Sequence, residues 1–351
     1  MNLDFRHSVI AGVSCWLAAM LAFALHTGDP WWAVMSAWVV SGSDPGASLL
    51  KAMLRIIGTL GGYVVGSECV RYLGGSPVGE ISAMFLIGAV GTYQRFRSRF
   101  SYAWIIASVT ALIVIIMGID DPASVYQAAH YRIYEIIAGV LAVTVCQRLL
   151  GPILGLTLAG NANANATPTA GAKPPADPQK SAPSPARHHE LLATAVIGGL
   201  LPGIIMLLWA RFELPSLMQI IITAYITIDQ DVLATRLRAT QRILGCLLGG
   251  AAGLLIVFWS TDSLALWSLF LIGGIINLSR LHLVKSHPWS YVGTQGGMAF
   301  IMALVTGDGP PASIVPVVNR VAGMISGVLI LHLICTLMKA WKENLPASAQ
   351  G

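Results

Sequence analysis

Long apolar runs follow one another along nearly the whole chain, and few charges interrupt them. Six such runs precede residue 151, and six more follow residue 190. A run of about 20 apolar residues can cross the hydrocarbon core of a bilayer as a helix. Charged residues make up only 11% of the chain, whereas soluble domains carry about 25%. The sequence therefore predicts an all-α polytopic membrane protein with about 12 transmembrane helices.

The second apolar segment of each half is short for a membrane crossing. The predicted segments are 8–25, 31–42, 54–70, 78–93, 101–118, 126–148, 191–209, 215–228, 241–259, 264–279, 289–306 and 314–338. Only 14 residues separate Asp29 from Asp44. A helix of that length spans about 21 Å, less than the roughly 30 Å hydrocarbon core. Such a segment either crosses with its ends buried in protein or re-enters on the same side.

The distribution of cations favours the crossing. If all twelve segments cross, 17 lysines and arginines fall on one side and four on the other. The smaller set is Arg71, Arg132, Arg211 and Arg320. The positive-inside rule then places both termini in the cytoplasm. If segment 215–228 did not cross, the cluster around Arg238 would face outward instead.

A motif in the first half returns in the second. Residues 44–66 and 231–253 align without a gap and share ten identities in 23 positions. Other similar stretches follow in the same order, such as "YRIYEIIAGVL" at 131 and "NRVAGMISGVL" at 319. Each half has an even number of segments, so both insert the same way round. We expect two parallel six-helix repeats related by a pseudo-two-fold axis along the membrane normal.

Each copy of the motif carries glycines at every fourth position. They are Gly58, Gly62 and Gly66 in the first half and Gly245, Gly249 and Gly253 in the second. In lipid, small residues on one helix face let two backbones approach closely and gain van der Waals contact. We therefore expect each set to pack against a neighbouring helix.

A segment rich in alanine, proline and asparagine joins the halves and is predicted to be disordered. The predicted divisions are 1–155 for the first six-helix repeat, 156–190 for the cytoplasmic linker, 191–340 for the second repeat and 341–351 for a short cytoplasmic tail.

Two arginines stand at equivalent places just before the glycines. Arg55 follows Lys51 by four residues, and Arg242 follows Arg238 in the same way, so each pair shares a helix face. One interpretation is that they anchor the helix ends at the lipid headgroups. The other is that Arg55 and Arg242 face each other across the pseudo-axis and bind an anionic substrate.

A second pair of arginines begins the last helix of each half. Arg132 and Arg320 belong to the outward set, where topology alone does not require cations. Glu135 follows Arg132 by three residues, which permits a structural ion pair. Alternatively, Arg132 and Arg320 bind a substrate carboxylate through the planar guanidinium fork.

A proton-coupled carrier needs a group whose protonation changes during its cycle. The ionisable side chains within or near the segments that could serve are Glu68, Glu135 and His332. Each can also be a buried, satisfied side chain.

Other functional classes leave no mark on the sequence. The five cysteines lie inside apolar segments without zinc-ligand spacing, so no metal is expected. The chain contains no GxGxxG or Walker loop, no HExxH and no GxSxG, which argues against ATP-driven transport within this chain and against hydrolase chemistry. We expect a protein that is not an enzyme and that needs no cofactor. The net charge of +5 is modest and the cations flank the apolar segments, so nucleic acid is not an expected partner.

Several stretches together resemble a known family. In order they are "HTGDPWWAVMSAWVV", "KAMLRIIGTLGGYVVG", "RSRFSYAWIIASVT" and "YRIYEIIAGVL". The chain is similar to the bacterial fusaric-acid-resistance and aromatic-acid-exporter family over residues 5–150, and more loosely over 188–340. The resemblance implies a multi-pass protein of the bacterial inner membrane that exports aromatic or other organic carboxylate anions, driven by the proton gradient. It also implies a periplasmic adaptor subunit as a partner, beside the lipid bilayer.

Two other functions remain open at this point. Plant aluminium-activated malate channels are distantly similar and have six spans per subunit in a dimer. An anion channel on the same scaffold is therefore one alternative. The chain could also assemble as a homo-oligomer. A membrane assembly factor that transports nothing is the other. Transport predicts polar and cationic residues around an internal cavity, whereas a scaffold predicts a closed apolar interior.

Overall fold

The computed structural model describes residues 3–42, 45–156, 185–229, 232–260, 263–283, 289–307 and 315–343. Within these ranges the chain forms twelve α-helices, one on each predicted apolar segment. They are α1 Leu3–Ala24, α2 Trp31–Val40, α3 Pro45–Leu73, α4 Pro77–Arg97, α5 Ser101–Asp120, α6 Ser124–Ile153, α7 Pro185–Phe212, α8 Leu217–Thr227, α9 Val232–Ser260, α10 Leu264–Leu283, α11 Ser290–Leu304 and α12 Val315–Glu343. Most of the predicted linker, 157–184, and the tail from 344 lie outside the described residues.

Seven helices are long and apolar enough to cross a membrane. Their apolar stretches are Asp4–Ala24, Ser48–Leu73, Ser101–Ile119, Val125–Ile153, Glu190–Phe212, Leu237–Phe258 and Leu264–Leu283. Shorter apolar stretches occupy α2, α8 and residues 321–337 of α12. The described part of the chain is therefore built from helices, and the protein is a multi-pass membrane protein.

The two short helices, α2 and α8, lie inside the bundle. Nine of the ten residues of α2 are buried, among them Trp31, Trp32 and Trp38. At 1.5 Å per residue, α2 and α8 are about 15 and 17 Å long, roughly half the hydrocarbon thickness. Helix ends at such a depth are tolerated where other protein elements surround them. Here α1, α6 and α11 pack around α2, while α7, α12 and α5 pack around α8.

Helix contacts recur at an interval of six helices. Helix α1 packs on α10, and α7 packs on α4. Likewise α2 packs on α11 and α8 on α5, while α2–α6 has its counterpart in α8–α12. The halves therefore meet where the first helix of one packs on the fourth helix of the other and where the short helix of one packs on the fifth helix of the other.

The glycine-bearing helices make close backbone contacts. A Cβ atom on Gly62 of α3 would collide with the carbonyl oxygen of Ala107 on α5, and one on Gly249 of α9 with that of Gly296 on α11. The other four glycines of the two sets face the same partner helices: Gly58 faces Ala103, Gly66 faces Val114, Gly245 faces Val292 and Gly253 faces Ala303. At Gly58, Gly62, Gly245 and Gly249 the nearest atom is a backbone oxygen of the partner helix, so a larger residue does not fit there.

Candidate functional site

A cavity of about 320 Å³ lies beside the first turn of α2. Helices α3, α5 and α6 and the loop before α2 surround it. Its lining residues are Gly28, Asp29, Tyr63, Thr110, Ile113, Val114, Met117, Val125, Gln127, Ala128, Tyr131, Arg132 and Glu135. The volume is at the lower end of the range of about 300–1,000 Å³ that small-molecule sites occupy. Polar side chains and one cation, Arg132, line this space.

Arg132 stacks on an aromatic ring at the edge of the cavity. Its guanidinium carbon lies 3.5 Å from the ring centroid of Trp32 on α2. Its Nη1 lies 3.9 Å from Glu135 Oε2, and the two side chains are 14% and 2% exposed. That nitrogen is buried and has no hydrogen-bond partner among the described residues. A buried donor without a partner costs about 1–3 kcal/mol, so this atom is suited to receive a ligand oxygen.

Glu135 fixes the loop that leads into α2. Its Oε1 accepts a hydrogen bond of 2.8 Å from the backbone nitrogen of Asp29. The Asp29 carboxylate in turn accepts a hydrogen bond of 3.0 Å from Nε1 of Trp31. The cavity therefore contains two carboxylates and one guanidinium, and its net charge is −1 when all three are ionised.

Tyrosines supply ring faces and hydroxyl groups to the cavity. The hydroxyl of Tyr63 on α3 is buried and has no hydrogen-bond partner in the described part of the chain. The hydroxyl of Tyr131 accepts a hydrogen bond of 3.1 Å from Gln127 Nε2. An aromatic acid could place its ring between such side chains and its carboxylate on Arg132.

Arg55 and Arg242 each bind the short helix of their own half. Arg55 donates from Nε to Ser36 Oγ at 3.1 Å and from Nη1 to the Tyr102 hydroxyl at 3.2 Å. Arg242 donates from Nη2 to Thr223 Oγ1 at 3.3 Å. Both arginines are buried. These bonds tie α3 to α2 and α9 to α8; that the two arginines also face each other and receive an anion stays a prediction.

The remaining predicted residues lie elsewhere. Glu68 is half-exposed and pairs with Arg71 at 3.9 Å on the surface of α3, and His332 is exposed on α12. The side chain of Arg320 lies outside the described residues. Of the seven ionisable residues that the sequence singled out, the structure brings Arg132 and Glu135 together in this cavity. Among the described residues, no group of His, Cys, Asp and Glu could hold a metal ion.

The equivalent place in the second half is built differently. Gly323 takes the position of Glu135, and Gly250 takes that of Tyr63. A Cβ on Gly323 would lie 3.2 Å from the carbonyl oxygen of Pro215 and 3.1 Å from Cβ of Gln219, at the start of α8. Among the described residues, a close approach of α12 to the start of α8 therefore takes the place that the Glu135 side chain has in the first half.

Sequence reasoning did not single out Asp29, Trp32 or Tyr63 as site residues. Asp29 and Trp32 belong to the "DPWW" stretch that carried the family resemblance. That resemblance drew attention to the stretch but did not indicate what either residue does. Tyr63 directly follows Gly62 in an apolar helix. A lone polar residue beside a packing glycine is the one signal that could have indicated it.

A buried guanidinium over tryptophan, inside a bundle of apolar helices, defines a membrane protein with an intramembrane polar site. The chain belongs to the fusaric acid resistance protein family, whose family model matches residues 5–194. A second family model, described as fusaric acid resistance protein-like, matches residues 196–339. These two matches confirm the resemblance that the motifs indicated.

Curated relatives are named as exporters. They include the p-hydroxybenzoic acid efflux pump subunit AaeB of Shigella boydii serotype 4, of Escherichia fergusonii and of Escherichia coli O1:K1. Each is 29% identical to this chain over 162 residues, a match that covers 43% of this chain. The chain spans about a quarter of the length of these relatives, with 25% of each covered. No solved structure matches the chain.

Proposed function

We propose that this chain exports organic carboxylate anions, aromatic acids above all, across the inner membrane of a bacterial cell. The observation that carries the proposal is the buried Nη1 of Arg132, which has no hydrogen-bond partner among the described residues and lies in a cavity that also offers a tyrosine hydroxyl and aromatic faces. Membership of the fusaric acid resistance family and relatives named as p-hydroxybenzoic acid efflux pump subunits support the substrate class.

Arginine is the side chain best suited to this role. Its planar fork can form two parallel hydrogen bonds with a carboxylate, and charge-assisted bonds are roughly twice as strong as neutral ones. A guanidinium held at this depth in a membrane protein is costly unless a partner or ligand compensates it. Stacking on Trp32 supplies part of that compensation and holds the fork in one orientation.

The proposed arrangement has twelve crossings in two parallel six-helix repeats, with both termini cytoplasmic. Helix contacts that recur every six helices support the repeat. The distribution of 17 cations against four supports the orientation. In this orientation α2 and α6 both begin on the periplasmic side. The cavity lies toward that side, because residues just before α2 and in the first turns of α6 line it. The word "subunit" in the relatives' names supports a further partner, such as a periplasmic adaptor.

Glu135 is the group that we propose to link substrate binding to protons. Its carboxylate lies beside the guanidinium that the substrate needs, and the ionised cavity already has a net charge of −1. Proton uptake by Glu135 would remove the negative charge nearest to Arg132, so an anion would bind more tightly. By linkage, the affinity for the anion then depends on the pH at whichever side of the membrane the cavity faces.

Glu135→Gln is expected to tighten binding of p-hydroxybenzoate at pH 8 by about tenfold and to abolish most of its dependence on pH. Two unit charges about 4 Å apart interact by roughly 4 kcal/mol at an effective dielectric constant of 20. A tenfold change in affinity corresponds to about 1.4 kcal/mol, which is about a third of that interaction energy. Calorimetric titration of the purified protein at pH 6 and pH 8 measures it. Glu68→Gln, at an exposed ion pair, is the matched control. A variant at position 135 that keeps the wild-type pH dependence would exclude Glu135 from this role.

The export function itself is tested in cells. A bacterial strain that lacks its own aromatic acid exporters is loaded with radiolabelled p-hydroxybenzoate, with and without this protein. We expect faster loss of label and higher tolerance of the acid when the protein is present. Equal loss in both strains, with the protein present in the membrane, would contradict the proposal.

A further inference from the structure

An apolar groove of about 670 Å³ runs along α3, α4 and α5 on the surface of the bundle. Its walls include Ile57, Gly61, Val65, Leu86, Val90 and Trp104. All five of the large side chains in this set are exposed. The groove is separate from the charged cavity, which lies on the other side of α3 and α5 beside α2 and α6.

A glycine leaves the groove open in the first half. A Cβ added to Gly61 would meet no atom within 4 Å. In the gap-free alignment of the two motifs, Gly61 corresponds to Leu248, which is 63% exposed. The second repeat thus has a leucine side chain at this helix position, whereas the first repeat has a glycine with open space beside it.

Cations collect at one end of the groove. Helix α3 begins, α4 ends and α5 begins at that end, so Lys51 of α3, Arg97 of α4 and Arg99 before α5 lie at the same end of these three helices. Lys51 Nζ lies 5.6 Å from the ring centroid of Tyr102, and the guanidinium carbon of Arg99 lies 4.6 Å from that of Phe100. Phe100 itself lines the groove. One end of the apolar groove therefore lies near positively charged side chains.

We propose that this groove binds an anionic phospholipid, with one acyl chain along Gly61 and the head-group phosphate at Lys51, Arg97 and Arg99. The apolar wall matches a hydrocarbon chain, and basic clusters between helices at a membrane surface attract anionic head groups. A carboxylate substrate fits the walls poorly, because Ser108 already donates its hydroxyl to the carbonyl of Trp104 and the rest of the lining, apart from the indole N–H of Trp104, is apolar. A second copy related by a two-fold axis along the membrane normal would bring its own cations to the same membrane surface, which opposes a dimer here.

Quenching of Trp104 fluorescence by brominated lipids tests the proposal, because this indole lines the groove. The protein is reconstituted with increasing fractions of brominated phosphatidylglycerol or brominated phosphatidylcholine. The difference between the wild type and Trp104→Phe isolates this one tryptophan. We expect half-maximal quenching at a several-fold lower fraction of phosphatidylglycerol than of phosphatidylcholine. The double variant Arg97→Gln, Arg99→Gln should lose most of this preference, because two of the three cations at the head-group end are removed.

Gly61→Leu fills the groove with the residue of the other repeat and should strongly reduce quenching by both lipids. Gly273→Leu is the control, since a Cβ there also meets nothing within 4 Å and the position is outside the groove. It should leave quenching unchanged. Equal quenching by the two lipids in the wild type, or unchanged quenching in Gly61→Leu, would overturn the proposal. So would loss of quenching on addition of p-hydroxybenzoate, which would make the groove a substrate site, or a dimer that shields Trp104 from both lipids.

Discussion

Arg132→Lys is expected to lower the rate of p-hydroxybenzoate efflux by roughly 10- to 100-fold. Lysine keeps the charge but loses the bidentate fork and the planar stacking on Trp32. A hydrogen bond to a charged group contributes about 1.5–3 kcal/mol, which corresponds to this range of rates if the bond forms in the transported complex. Initial rates per amount of protein in the membrane measure the effect.

Arg71→Lys is the matched control for Arg132→Lys. Arg71 also pairs with a glutamate three residues away at 3.9 Å, but both side chains are more than half exposed. An ion pair of this kind contributes little, so transport should be unchanged. Melting temperatures of both variants separate a loss of folding from a loss of binding. Wild-type efflux in Arg132→Lys, or an equal loss in both variants, would contradict the role given to Arg132.

Gly62→Leu is expected to prevent assembly of the helix bundle. A Cβ at this position would collide with the backbone of Ala107, and backbone atoms cannot move aside as a flexible side chain can. Overpacking typically costs 1–3 kcal/mol where side chains can adjust, and we expect a larger cost here because α3 and α5 must separate. The yield of monodisperse protein and its melting temperature measure the loss. Gly249→Leu should behave in the same way, since Gly249 faces the backbone of Gly296.

The neighbouring glycine provides the control for Gly62→Leu. Gly61→Leu adds the same side chain one residue earlier, where a Cβ meets nothing within 4 Å. This variant should fold with nearly the wild-type melting temperature. If Gly62→Leu were as stable as Gly61→Leu, the close contact between α3 and α5 would be wrong.

Local patterns were enough to predict the helices. Apolar length predicted twelve segments, and each lies on a helix. The spacing of three residues between Arg132 and Glu135 predicted their pairing, because residues three apart on a helix are neighbours. The four-residue spacing of Gly62 and its companions predicted helix contact without naming the partner helix.

Contacts between distant parts of the chain were beyond such patterns. Glu135 receives its hydrogen bond from Asp29, which is 106 residues earlier. The stacking of Arg132 on Trp32 likewise depends on how α6 packs against α2. The spacing of Arg55 and Arg242 before the glycines placed them on helix faces, but their bonds to Ser36 and Thr223 arise from the packing of α3 on α2 and α9 on α8. A single sequence records no such pairings.

The central claim is that a carboxylate crosses the membrane through a site that contains Arg132. Its most direct measurement is flux of radiolabelled p-hydroxybenzoate from proteoliposomes that contain the purified chain, with imposed gradients of pH and voltage. We predict flux that saturates with substrate concentration, responds to the pH gradient and falls at least tenfold in Arg132→Lys. Ohmic anion current without saturation would identify a channel instead, and flux no greater than that of protein-free liposomes would contradict the account.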